Sequence, residues 1–274
     1  MKVLLQKPVV YCKLGYRSVR NKESESSIED IYDGEIHKEL RQEGKPLSND
    51  DNLSYTFNSD GVPVFTSSKY SLWPIFLMIY EPAPKMRRYN LILAGVWCGK
   101  TKPNMVFLQK FVEAQVLATD VVRWKRNGDE VVSRCFAVVS MHQQGLRCRI
   151  QCNTVQFNGY YGCGLRYHPD KLCGGVVKYP IDVVEYNDRE EHEMLTDMQT
   201  ALEENRSVRG IKGPTPLIAM SNFPVVWGFP PDFMHCCLLG VTRQLAELWF
   251  STPGEDFHRK SKVYGIDRQA TMHN

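Results

Sequence analysis

Asp60, followed at once by Gly61, is the first residue of this sequence whose type and setting could do chemistry. A carboxylate at the end of an apolar strand, next to a residue without a side chain, can reach a divalent cation unobstructed. The same dipeptide is also an ordinary Asp-Gly turn, and the sequence alone leaves both readings open. Phosphoryl transfer on metal ions needs several converging carboxylates, because one acid leaves most of the cation charge unbalanced; Asp60 would need companions. Cys163, His168 and Cys173 invite a zinc reading, but the tight Cys-x-x-Cys pair is missing because position 166 is Arg166. Asp232 and His235 lie one helical turn apart, as a cap with a buried imidazole or as weak candidate ligands. The run Gly95-Val96-Trp97-Cys98-Gly99-Lys100-Thr101 ends like a phosphate loop, yet its first glycine is one residue too close, so no nucleotide cofactor is expected. A Gly-x-Ser-x-Gly nucleophile elbow does not occur.

These residues need elements to hold them. Leu53-Ser54-Tyr55-Thr56-Phe57 alternates apolar and polar side chains as a strand does, stops at the turn signal Asn58-Ser59-Asp60-Gly61, and resumes at Val62. Apolar runs over 73–80 and 89–97 follow at hairpin spacing, which predicts three adjacent antiparallel strands. Asn104 to Leu117 carries a helical repeat of Met105, Phe107, Leu108, Phe111 and Val112. Beyond a charged turn near Asn127-Gly128, Cys135 to Ser140 reads as a fourth, buried strand, parallel to the first. An acidic helix is expected over 188–206. A second helix follows Asp232, with Met234, Cys237, Leu238, Val241, Leu245, Leu248 and Trp249 on a face that should pack on the sheet. The sequence divides into a polar, partly helical approach segment over 1–50, a core over 51–250 and a polar tail over 251–274.

Composition narrows the classes. The 274 residues are 43% hydrophobic and 24% charged, which suits a globular core and not a disordered or collagen-like chain. The net charge of +3 neither demands nor excludes nucleic acid, since binding needs a local patch. Lys85, Arg87, Arg88, Lys100, Lys102, Arg123, Lys125 and Arg126 could line a phosphate-tracking surface or form a solvated face. No apolar run is long enough to span a membrane and no secretion signal is evident, so a soluble intracellular protein without membrane partners is expected. The nine cysteines are irregularly spaced and read as free, buried thiols.

Several motifs together resemble the transposases of CACTA-type (En/Spm-like) DNA transposons. They are Leu53 to Phe65 with Ser67-Ser68-Lys69, Trp73-Pro74-Ile75, Ala94-Gly95-Val96-Trp97, Lys102-Pro103, Gln156-Phe157-Asn158-Gly159-Tyr160-Tyr161-Gly162-Cys163, Lys212-Gly213-Pro214, and Pro230 to Val241. The collinear matches run over roughly residues 28 to 250. The resemblance implies an RNase H-like α/β fold, a mixed sheet with flanking helices, incomplete at its C-terminal end. It also implies three acidic residues holding two Mg2+ or Mn2+ ions, a zinc knuckle, transposon-end DNA as partner, homo-oligomers and a nuclear location.

Asp60 falls at the family's first catalytic aspartate, whereas Gln143 stands where the second is expected. No Asp or Glu occurs between Val131 and Pro169. The knuckle's second cysteine is replaced by Arg166, leaving Cys163 as a remnant, and the third acidic residue lies beyond the Asp232-x-Met234-His235 block. An amide cannot supply a carboxylate's charge. The expected protein is therefore a transposon-derived, decayed or shortened copy with residual DNA binding. An active DDE-type recombinase, completed by Asp232 or a glutamate of the 185–204 stretch, and a protein-interaction module are the alternatives.

Overall fold

Leu53, Tyr55 and Phe57 alternate with Ser54 and Thr56, and the computed structural model places this run at the centre of a mixed sheet. The structure describes residues 2–64, 70–101, 103–140, 153–156, 158–180, 185–231 and 233–250, with the side chains of 117–120, 235–236 and 248–250 outside that description. The strands of the first half are β1 (Leu53–Ser59), β2 (Val62–Pro63), β3 (Ser71–Ile79), β4 (Ile92–Gly99), β5 (Val122–Arg126), β6 (Asp129–Ser133) and β7 (Cys135–Ser140). β4 lies antiparallel to β3, β3 antiparallel to β1 and β2, and β7 parallel to β1.

A parallel neighbour requires a crossover, and the Met105–Asp120 helix supplies it. The Asn104 side chain accepts the Phe107 N–H at 3.2 Å and starts that helix. The expected charged turn is the tip of a hairpin: β5 and β6 pair antiparallel across Asn127 and Gly128, whose φ values of 53° and 100° suit a two-residue turn.

One face of the sheet, here called inner, packs on the crossover helix. Phe57 lies 5.3 Å from Phe111 and 5.4 Å from Phe223 between ring centroids. The later chain closes this layer. The Glu191–Glu203 helix buries Met194, Met198 and Ala201, and Leu217, Met220, Phe223, Val225, Val226 and Phe229 join the same cluster. The Glu191 carboxylate accepts the Val225 and Val226 N–H groups at 2.9 Å each, tying helix to loop. A small hairpin of β8 (Lys171–Cys173) and β9 (Val176–Lys178) stands apart from the sheet.

The segment read as an approach contributes to both layers. Leu5, Val10 and Leu14 join the inner core. Tyr32, Leu40 and Leu47 pack with Tyr80, Phe136, Val138 and Val139 on the outer face, over β1 and β7. Ion pairs fix this strap. Arg87 grips Asp30 with two nitrogens at 2.6 and 2.8 Å, Arg20 pairs with Asp33, and Arg17 reaches Asp50 at 3.0 Å and Glu81 at 3.7 Å.

The last helix departs from expectation. It is wound as a π-helix over Met234–Thr242 and as an α-helix over Arg243–Phe250. Met234, Leu238, Val241 and Leu245, expected against the sheet, are exposed. An apolar stripe marks a face suited to packing and does not by itself say on what it packs.

Candidate metal site and nucleic-acid surface

The register places Asp60. Ser59 pairs with Ile75 and Val62 with Leu72, so β1 and β2 follow one register along β3, with Asp60 and Gly61 opposite Pro74 and Trp73. There is no turn here. The ladder is interrupted because Pro74 has no N–H to give the strand beside it, and Asn58 to Gly61 continues straight through. Gly61 is required for another reason: a Cβ there would come within 2.6 Å of the Trp73 indole, which lies across the strand. Asp60 therefore stands directly after the end of β1, as expected, half-exposed on the outer face, in an extended link to β2 that does not turn.

β7 brings a second stretch of chain alongside. Ser140 is level with Phe57 and donates its hydroxyl to the Phe57 carbonyl at 3.0 Å. The two strands run the same way, so both lead toward the end of the sheet that carries Asp60. Gln143, Asp232 and Lys102 lie outside the described residues, as does the side chain of His235. Among the described residues no three His, Cys, Asp or Glu side chains converge on a metal position. They do not make a two-dication site, and no metal step follows from them.

Around Cys163 an arginine organises the loop. Arg189 is buried, and donates from Nε to the Cys163 carbonyl at 3.0 Å and from Nη2 to the Tyr161 and Arg209 carbonyls at 3.0 and 2.8 Å. Burial lowers the pKa of its guanidinium from the usual value. Its guanidinium carbon lies 4.7 Å from the Tyr167 ring centroid, and that of Arg209 lies 4.3 Å from the same ring. Arg209 is itself clamped by the Asp197 carboxylate at 2.8 to 3.1 Å.

The zinc candidates have other occupations. Arg166 pairs with Asp188 at 2.9 Å. His168 is held by Asp170 and Pro180: its Nδ1 lies 3.0 Å from both the Asp170 backbone nitrogen and the Asp170 Oδ1, and its Nε2 lies 3.1 Å from the Pro180 carbonyl oxygen. Cys173 is exposed on β8, and Cys163 engages through its carbonyl. These residues do not fit a zinc knuckle. Cys12 and Cys98 are likewise exposed free thiols, while Cys135 has the buried setting expected of all.

The basic residues divide. Arg87 is not a surface group: it is buried on Asp30 and donates Nε to the Tyr80 and Pro82 carbonyls. Arg126 pairs with Asp51 at 2.8 Å and lies over Trp124, and Arg123 pairs with Glu130 at 3.1 Å, which weakens their claim on phosphate. Lys85, Arg88, Lys100 and Lys125 are exposed. Lys100 stands 5.2 Å from the Tyr70 ring and Arg88 5.2 Å from the Tyr89 ring, so cation and aromatic are paired at two surface points.

Compared with known families and curated proteins, the chain matches no family model and no curated sequence. No helix among the described residues is long and apolar enough to cross a membrane. Sequence reasoning missed Arg189, Asp197 and Arg209. No spacing rule marks them, because Arg189 stands in an acidic run and meets its acceptors only through the fold.

Proposed function

We propose that this chain is an RNase H-like core of a CACTA-type transposase that lacks strand-transfer chemistry on its own and retains binding to DNA. The observation that carries the reading is the order of the sheet. Three antiparallel strands, a crossover helix and a fourth strand parallel to the first set Asp60 beside the strand that leads to Gln143. With an amide at the second position, Asp60 has no carboxylate there to share a pair of dications. DNA contact falls to Lys85, Arg88, Lys100 and Lys125, with Tyr70 and Tyr89 offering faces to unstacked bases. The proposal carries with it a nuclear location.

Purified full chain incubated with supercoiled plasmid and Mg2+ or Mn2+ tests both parts. The expected result is no nicking, together with DNA binding that weakens steeply with salt and falls on Lys100→Glu and Arg88→Glu. Nicking abolished by Asp60→Ala would establish an active recombinase instead. Absence of DNA binding at low salt would leave a protein-interaction module.

A further inference from the structure

Away from the sheet, the second half of the chain forms an open pocket of about 350 Å³ whose walls include Tyr161, Tyr167, Tyr186, Glu185, Glu193 and Arg209. That volume lies at the small end of ligand cavities, roughly 300–1,000 Å³. Neither Asp60 nor any of the lysines and arginines assigned to DNA lines it.

The walls are held in place by the chain itself. Tyr167 donates its N–H to the Asn187 carbonyl at 3.0 Å and Arg189 its own to the Leu165 carbonyl at 2.7 Å, which pins 165–167 beside 187–189. The Arg189 side chain ties Tyr161 to Arg209 through their carbonyls. Gly210 lets the two approach, since a Cβ there would lie 2.4 Å from the Tyr161 carbonyl oxygen. Tyr186 packs on His168 at 4.3 Å between ring centroids. Such a frame costs a ligand little ordering.

The charges decide what can enter. Among the described residues that line the pocket Arg209 is the one cation, and its guanidinium is committed to the Asp197 carboxylate and the Tyr167 ring. Glu193 lies 3.9 Å from that guanidinium, beyond hydrogen-bond distance, and Glu185 is exposed. Burial, with Glu193 close by, pushes the Tyr167 hydroxyl up to about 12, so it stays neutral. Asp197, Glu193 and Glu185 outnumber Arg209 even with the buried Arg189 counted beside it, so an anion is disfavoured. A cation is favoured, and the three tyrosines select its kind. A primary ammonium is strongly hydrated and gains little in an open pocket, whereas a quaternary ammonium spreads its charge over methyl groups that aromatic faces recognise.

We infer that this pocket binds an alkyl trimethylammonium group, the head of a trimethylated lysine side chain or of a choline-type molecule. Tyr161 and Tyr186 supply aromatic rings and Glu185 and Glu193 the counter-charge, while the open mouth leaves room for the rest of the ligand in solvent. The site stands whether or not the chain binds DNA.

Calorimetric titration of the full chain with choline, with its neutral tert-butyl isostere, and with one lysine peptide in unmodified and trimethylated forms tests this. Choline and the trimethylated peptide should bind, and the isostere and the unmodified peptide should bind at least about fivefold more weakly. Tighter binding of the peptide than of choline would assign the group to a protein tail, and equal binding to a small molecule; both support the site. Tyr186→Ala and Glu185→Gln should each weaken choline binding about three- to tenfold. Tyr186→Phe should keep it, because the ring remains, with far-UV circular dichroism confirming that each variant folds. No choline binding at millimolar concentration overturns the inference. So does equal binding of the isostere, which would leave only an apolar slot, equal binding of the unmodified peptide, which would leave only an acidic surface, or a loss in Tyr186→Phe as large as in Tyr186→Ala.

Discussion

Asp60 and Cys163 mark the two places where metal chemistry would be sought, and they are held by different means. The Cys163 loop is gathered by a buried guanidinium that donates to three backbone carbonyls. Asp60 lies in the extended link between β1 and β2, opposite Pro74 and next to the glycine that admits Trp73. A knuckle metal has a structural task, and a planar fork of donors can gather the same carbonyls without it. A catalytic metal pair has no such substitute, because only anionic ligands balance its charge while leaving positions open. Among the described residues, one region is thus held by its own donors and the other offers a single carboxylate.

The largest effect should come from Arg189. Replacing it by Met leaves the Tyr161, Cys163 and Arg209 carbonyls without this donor and should cost about 3 kcal/mol in urea unfolding. Arg189→Lys should recover little, since an ammonium lacks the fork. Chelator should leave the wild-type midpoint unmoved; a fall with EDTA would break the contrast by showing a metal beneath the arginine.

Next is the strap, which serves as a reference distinct from both regions. His37 is buried edge-on to Tyr32 at 4.8 Å, and neither ring nitrogen has a hydrogen-bond partner among the described residues. Burial, with Arg17, Arg41 and Arg20 nearby and Asp30 opposing, pulls its pKa down to about 4. The unfolded chain therefore binds the proton more readily than the folded one. The stabilising contribution is complete above the ordinary histidine value and is lost as pH falls from about 6.5 toward about 4, on the order of 2–3 kcal/mol. Urea midpoints measured across that window should fall for wild type and stay flatter for His37→Phe. Equal slopes would shift the acid sensitivity elsewhere.

A smaller loss is expected at the strand itself. Gly61→Ala would place a methyl 2.6 Å from the Trp73 ring and should cost about 1–3 kcal/mol by the same measurement, with Trp73→Ala in the background relieving the clash. A neutral Gly61→Ala would mean that the Asp60 strand is softer than its register implies.

How much of this was legible follows from where the information lies. The order of β1, β3, β4, the crossover helix and β7 was readable because alternation and helical periodicity are local and strong. Asp60-Gly61 was misread as a turn because the dipeptide signal is also local, while the reasons for a straight strand, Pro74 and Trp73, sit on the neighbouring strand. The polar run over 1–50 concealed a strap because its few apolar residues, such as Leu5 and Leu47, are fully buried but too sparse to show a period. The Arg189 fan was invisible for the same reason as any buried network: its acceptors are backbone carbonyls, which every sequence has.

The smallest expected effect is the most discriminating. Asp60→Asn removes the negative charge of a half-exposed side chain and keeps its shape. With no other carboxylate converging on it among the described residues, Asp60 should hold Mg2+ weakly. Millimolar Mg2+ should raise the thermal midpoint of neither form, because stabilisation by a ligand requires binding to the native state below the concentration supplied. A Mg2+-dependent rise in wild type that vanishes in Asp60→Asn would show that further acidic ligands reach this strand, and would move Asp60 from a residue kept in place to one still at work.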